Sequence, residues 1–124
     1  MNSKTMVGSL IAAAGLFASG FVIYGYVLTD LRAGGADLNL LYIILGEVVF
    51  GYLITTMLSA SGTKDMAGGF KSAAILGVTV GLAMALIGIG EATVEMQNGL
   101  IDAAVWGVRW GVGGALAGWW LGKD

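Results

Sequence analysis

Four long stretches of this sequence are almost free of charge, and this pattern limits the possible folds more than any other feature. The stretches are Thr5–Thr29, Leu38–Thr63, Ser72–Gly90 and Ala103–Gly122. Their only charged residues are Glu47 and Arg109. A helix needs about 20 apolar residues to cross the hydrocarbon core of a bilayer. The sequence therefore predicts an all-α integral membrane protein, folded as a bundle of four transmembrane helices.

Composition points to the same environment and removes several classes of function. Charged residues make up 11% of the chain and hydrophobic residues 57%, whereas soluble proteins carry about 25% charged residues. The chain has no Cys and no His, so it lacks thiol chemistry and the commonest general base and metal ligand. A net charge of -2 on so few charges excludes a basic nucleic-acid surface. We expect no enzyme activity, no metal and no cofactor.

The polar segments between the stretches define one domain, residues 1–124. Its predicted spans are approximately 5–29, 38–60, 68–92 and 99–121. Asp37, Thr63 and Asn98 are the expected N-caps of the second, third and fourth helices, because a short side-chain oxygen satisfies free amides in a first turn. The alternative for the first stretch is a cleaved secretory signal, but its length and the tyrosines near its end favour a retained span.

Positive charge is distributed unequally between the two sides of the predicted bundle. Lysines 4, 64, 71 and 123 fall on one side, whereas Arg32 is the only basic residue on the other. Cytoplasmic segments carry the excess of Lys and Arg. Both termini are therefore predicted to be cytoplasmic, in a fixed orientation, with membrane lipids as surroundings.

Small residues recur at helical spacing in the last two spans. The expected packing glycines are Gly77, Gly81 and Gly88 in the third span and Gly107, Gly111, Gly114 and Gly118 in the fourth. Such residues let helix backbones approach closely inside lipid. We expect the two stripes to face each other. We also expect a homo-oligomer or a larger membrane complex, because both faces of the predicted fourth helix need protein contacts.

Glu47 and Arg109 are the candidate functional pair. If their helices start near Leu38 and Leu100, each is the tenth residue of its span, about 15 Å deep at 1.5 Å per residue. A charge near a helix centre costs about 2.5 to 3.5 kcal/mol on insertion scales. The two residues therefore either neutralise each other structurally or let Glu47 exchange protons during transport. In a third interpretation, Arg109 holds an anionic group of a lipid or a partner.

The predicted fourth helix presents Arg109 on the side opposite its glycines. That side also carries Asp102, Trp106, Gly113, Leu116 and Trp120. Both faces of this helix then need protein contacts. We expect the helix either to be central in the bundle or to lie against another subunit.

Two other groups of polar residues are weaker candidates. Glu91, Glu95 and Asp102 form a possible outer acidic cluster, but Ca²⁺ requires six or more oxygens, so a solvated loop is favoured over a metal site. The hydroxyls of Thr55, Thr56, Ser59 and Ser61 could line a polar path. Such groups more often bond to a carbonyl one turn earlier in their own helix.

Short glycine-rich segments resemble small four-span bacterial membrane proteins of unassigned function. The similar segments are Gly46-Glu47 with Gly51, Gly69-Phe70-Lys71 with Gly77 and Gly81, and Asp102 with Gly114 and Gly118. The resemblance implies a four-helix fold and a place in the bacterial inner membrane, and no functional residue. We predict a non-enzymatic accessory or scaffold subunit that acts through helix-helix assembly. The alternative is a small proton-coupled or ion transporter or channel that uses Glu47 and Arg109.

Overall fold

The computed structural model describes residues 3–23 and 40–123. Its secondary structure is entirely helical in these ranges, with no strands. The helices are α1 Ser3–Val22, α2 Leu40–Ser61, α3 Met66–Gly90 and α4 Met96–Leu121. The predicted cap Asp37 lies outside the described residues.

The turn between α2 and α3 explains why the third helix starts earlier than predicted. Gly62 adopts a φ of +74°, and the amides of Gly62 and Thr63 donate to the carbonyls of Ser59 and Leu58. This is a Schellman motif, in which a left-handed residue closes a helix. Because Thr63 completes that motif, it does not cap α3. The cap is Asp65, whose Oδ2 accepts a hydrogen bond from the Gly68 amide at 2.9 Å.

The turn between α3 and α4 is shorter than the sequence suggested. A second Schellman pattern ends α3, with Thr93 N donating to Gly88 O and Ala92 N donating to Ile89 O. Ala92 has a φ of 61°, a left-handed conformation that disfavours a side chain. Helix α4 then begins at Met96 with Glu95 as its N-cap. Asn98 therefore lies inside the helix and is not its cap.

Helix α4 is the centre of the described bundle. It contacts each of the other three helices and packs most extensively on α3, whereas α2 and α3 barely touch. Helix α1 packs against both α2 and α4. The largest fully buried side chains, Trp110, Leu16, Ile54 and Leu58, lie where α1, α2 and α4 meet.

The two glycine stripes lie in the α3–α4 interface, but they rarely place glycine against glycine. The closest backbone approach is at Gly114, where an added Cβ would collide with the Gly69 carbonyl and with Ala73. Elsewhere each glycine receives a larger group. Gly77 lies under Trp110, Gly81 under Trp106, Gly107 under Val78 and Gly111 under Phe70. Gly118 lies against the Asp65 carbonyl, and Gly88 lies against Val94 of the turn.

Three described helices are long and apolar enough to cross a membrane: Ser3–Val22, Leu41–Ser61 and Met66–Gly90. Helix α4 has 26 residues and is long enough to cross a membrane, but it is less apolar than the other three helices. It also buries more residues than any other described helix. A helix that is surrounded by protein has little contact with lipid and does not need an apolar face all round.

Candidate functional site

The structure brings Glu47 and Arg109 together. Arg109 Nη2 donates to Glu47 Oε1 at 2.5 Å, and the pair joins α2 to α4 across 62 positions of sequence. Arg109 is the fourteenth of the 26 residues of α4, which places it about 20 Å from either end at 1.5 Å per residue. The ion pair therefore lies at the level of the α4 midpoint.

Helix α1 completes the surroundings of the guanidinium. The carbonyl of Leu16 lies 3.5 Å from Arg109 Nη2, a long and weak hydrogen bond. An added Cβ at Gly20 would lie 2.9 Å from Arg109 Nε and 3.2 Å from its Cζ. Gly20 thus provides the space that the guanidinium occupies. Neither contribution was recognised in the sequence, where Gly20 was one of many glycines.

Protein encloses both charged groups. The side chains of Arg109 and Glu47 are 10% and 12% exposed, respectively. At such burial an ion pair is weak evidence for net stability, but removing one partner is strongly destabilising because the other charge remains uncompensated. The side of α4 that carries Arg109 is covered within the chain by α1 and α2, with Gly113 against Ala12 and Leu16.

One carboxylate oxygen remains available in this arrangement. Glu47 Oε2 is buried and has no hydrogen-bond partner among the described residues. An ionised carboxylate has two acceptor oxygens, so the single bond to Arg109 leaves acceptor capacity unused. The site can hold a proton, a water molecule or another donor at Oε2. The described residues place no nucleophile beside a base here.

Three aromatic rings cluster between α2 and α4, and two of them pack on Gly77 and Gly81 of α3. Phe50, three residues after Glu47, has its ring centroid 5.0 Å from that of Trp110 and 5.5 Å from that of Trp106. The two tryptophans stack at 6.0 Å. The sequence did not predict this cluster. The i, i+4 spacing of Trp106 and Trp110 beside Arg109 was the available signal.

A shallow groove lies between α1 and α4 next to the site. Its volume is about 490 Å³, and its walls are nearly all apolar. The lining residues are Ala14, Gly15, Ala18, Ser19, Val22 and Ile23 of α1 with Val112 and Leu116 of α4. Ser19 directs its hydroxyl to the Gly15 carbonyl at 2.7 Å. The groove therefore combines four small residues with four larger aliphatic ones, and its serine hydroxyl is already hydrogen-bonded within α1.

The hydroxyls of α2 do not form a polar path through the described bundle. Thr56 Oγ1 bonds to Tyr52 O at 2.8 Å, and Ser61 Oγ bonds to Leu58 O at 3.1 Å. Thr55 is fully buried, and its methyl group packs against Gly8. Thr56 and Ser61 therefore bond within their own helix, as expected for hydroxyls in apolar helices, whereas the buried Thr55 Oγ1 has no hydrogen-bond partner among the described residues.

The three acidic residues of the proposed outer cluster lie on different elements. Glu91 ends α3, Glu95 caps α4 and Asp102 lies within α4. Glu91 and Glu95 do not share a helix face, since a five-residue turn separates the helices. Residues 3–23 and 40–123 contain no group of three or more His, Cys, Asp or Glu side chains placed to hold a metal ion.

Comparisons of the chain with protein-family models, with curated proteins and with solved structures found no match. The helices, their membrane-like apolarity and the ion pair are therefore the basis for assigning a function.

Proposed function

We propose that the protein is a four-span integral membrane protein that serves as a non-enzymatic accessory or scaffold subunit through helix-helix assembly. In this proposal α4 spans the bilayer as the protected central helix, and both termini face the cytoplasm. The unequal distribution of lysines supports the orientation. The burial of α4 by its neighbours supports the fourth span. A bacterial inner membrane is the proposed location.

The observation that carries the proposal is the α1–α4 groove. Lipid chains are as apolar as leucine, so apolar area alone does not drive helices together in a bilayer. A concave surface with small residues allows another backbone to approach closely and gain packing energy. Ala14, Ala18 and Val22 follow one another at intervals of four along the α1 side of the groove. We propose that a transmembrane helix of a second copy occupies it.

The test uses two alanines with similar exposure and different locations. Ala18 lines the groove, whereas Ala83 lies on an exposed face of α3. Because the chain has no cysteine, Ala18→Cys and Ala83→Cys provide clean crosslinking sites in native membranes. If a second copy occupies the groove, Ala18→Cys should give a disulfide-linked dimer and Ala83→Cys should give none.

A size-matched pair of variants tests the same surface without chemical crosslinking. Ala18→Leu fills the groove and should abolish the oligomer in gentle native purification, while Ala83→Leu should leave it intact. A chain that purifies as a monomer, or an oligomer that tolerates Ala18→Leu, contradicts assembly through this groove.

A second candidate function is proton-coupled or ion transport. The observation that favours it is the buried Glu47 Oε2, which lacks a partner among the described residues. Reconstitution of the purified chain in liposomes with an internal pH-sensitive dye separates the candidates. A scaffold shows no proton flux above that of empty liposomes. Flux that disappears in Glu47→Gln would establish transport and displace the scaffold assignment.

A further inference from the structure

Three parts of the chain meet at one end of the bundle, and each brings a lysine. Lys4 Nζ donates to the Lys123 carbonyl, which joins the start of α1 to the end of α4. Trp120 Nε1 donates to the Lys4 carbonyl at 3.0 Å. The Lys64 carbonyl, in the turn between α2 and α3, lies directly against Gly122. We call this region the basic end: Lys4, Lys64, Lys71 and Lys123 with the rings of Phe70 and Trp119.

Both rings of the basic end are exposed, and one of them lies under a lysine ammonium. Trp119 is 45% exposed and Phe70 is 42% exposed. Lys123 Nζ lies 4.4 Å above the Trp119 ring centroid, a cation-π distance. Lys71 is the sixth residue of α3 and is exposed, and its long side chain can extend toward the helix end while its stem stays on apolar surface.

Negative charge does not neutralise these lysines within the described residues. Asp65 is the acidic residue of the described chain at this end, and its carboxylate is engaged in capping α3. Asp124 follows Lys123 in the sequence. The opposite end carries Glu91 and Glu95, and no lysine among the described residues. The basic end therefore attracts anions, and the other end repels them.

We propose that the basic end binds the headgroup of an anionic phospholipid. Lysine ammonium groups at a membrane surface attract anionic lipid, and Trp and Phe rings favour the boundary between headgroups and acyl chains. Lys64, Lys71 and Lys123 contact the phosphate, while Trp119 and Phe70 contact the glycerol and upper acyl chains. A soluble anion would gain nothing from these rings. A phospholipid offers its phosphate to the lysines and its acyl chains to the rings.

The test measures lipid affinity of the purified full chain by native mass spectrometry, with phosphatidylglycerol and phosphatidylcholine as probes. Each lysine near anionic lipid changes affinity by about fivefold. The triple variant Lys64→Gln, Lys71→Gln, Lys123→Gln should therefore bind phosphatidylglycerol about 100-fold more weakly and phosphatidylcholine unchanged. The matched control Lys64→Arg, Lys71→Arg, Lys123→Arg keeps the charges and should retain the preference.

Three results would overturn the proposal. The first is equal affinity of the native chain for the two lipids. The second is a Gln triple variant that keeps the full preference while its helical circular dichroism is unchanged. The third is displacement of phosphatidylglycerol by millimolar inorganic phosphate, which identifies a site for soluble anions. If the triple variant does not fold, the single variant Lys64→Gln should show the fivefold loss on its own, and an unchanged affinity there also contradicts the proposal.

Discussion

Replacing Glu47 with Gln should destabilise the protein because it leaves Arg109 charged in an enclosed site. The guanidinium is 10% exposed, and removing one partner of a buried pair costs about 3 to 5 kcal/mol. The Gln side chain still offers one carbonyl oxygen to Arg109 Nη2, so we expect the lower end, about 3 kcal/mol. Arg109→Met should cost at least as much, because it leaves the Glu47 carboxylate without its donor.

The double variant Glu47→Gln, Arg109→Met distinguishes an ion pair from two independent side chains. With no charge left to enclose, it should lose only about 1 kcal/mol relative to the native chain, since neutral replacement of a buried pair is often tolerated. Equilibrium unfolding in mixed micelles by added sodium dodecyl sulfate, followed through Trp fluorescence, measures all four proteins. Trp106 and Trp110 pack against Phe50 of α2, so their emission follows the contact between α2 and α4. Additive losses in the double variant would refute the reasoning.

Four further substitutions test local packing and backbone conformation by thermal unfolding in detergent. Gly20→Val forces a branched side chain into the space of the Arg109 guanidinium and should cost about 2 to 3 kcal/mol; an unchanged midpoint would mean that the guanidinium lies elsewhere. Gly114→Ala pushes α3 and α4 apart, with a similar cost of about 2 to 3 kcal/mol, whereas Gly46→Ala, with no atom within 4 Å of the new Cβ, should be neutral or slightly stabilising. Ala92→Gly relieves a left-handed residue and should stabilise the protein by about 0.5 to 1 kcal/mol; a loss of stability would show that Ala92 does not adopt that φ.

The helices and their approximate positions followed from the spacing of charges, because the cost of a charge in lipid is large and local. Equal depth permitted an ion pair between Glu47 and Arg109 but did not predict that their faces meet; in the structure Arg109 Nη2 lies 2.5 Å from Glu47 Oε1. The helix ends were harder to predict. Thr63 has a typical capping side chain, but closing α2 uses its amide in the Schellman motif, which leaves Asp65 to cap α3.

The surroundings of the ion pair depended on helix order, which periodicity does not contain. Gly20 and the Leu16 carbonyl become part of the site only because α1 packs between α2 and α4 on that side. Helix order also explains why α4 is less apolar than the other helices. Its polar and small residues meet α1, α2 and α3, so the sequence alone could not distinguish protection within the chain from protection by another subunit.

The separation of Arg109 and Glu47 in lipid bilayers tests the central claim most directly. The chain has few arginines and glutamates, which makes selective labelling practical: Arg32 and Arg109, with Glu47, Glu91 and Glu95. Rotational-echo double-resonance measurements between guanidinium ¹⁵N and carboxyl ¹³C report this separation. The account predicts strong dephasing from a contact with N and O 2.5 Å apart, lost in Glu47→Gln but kept in Glu91→Gln. Absence of short-range dephasing in the native chain would contradict the account.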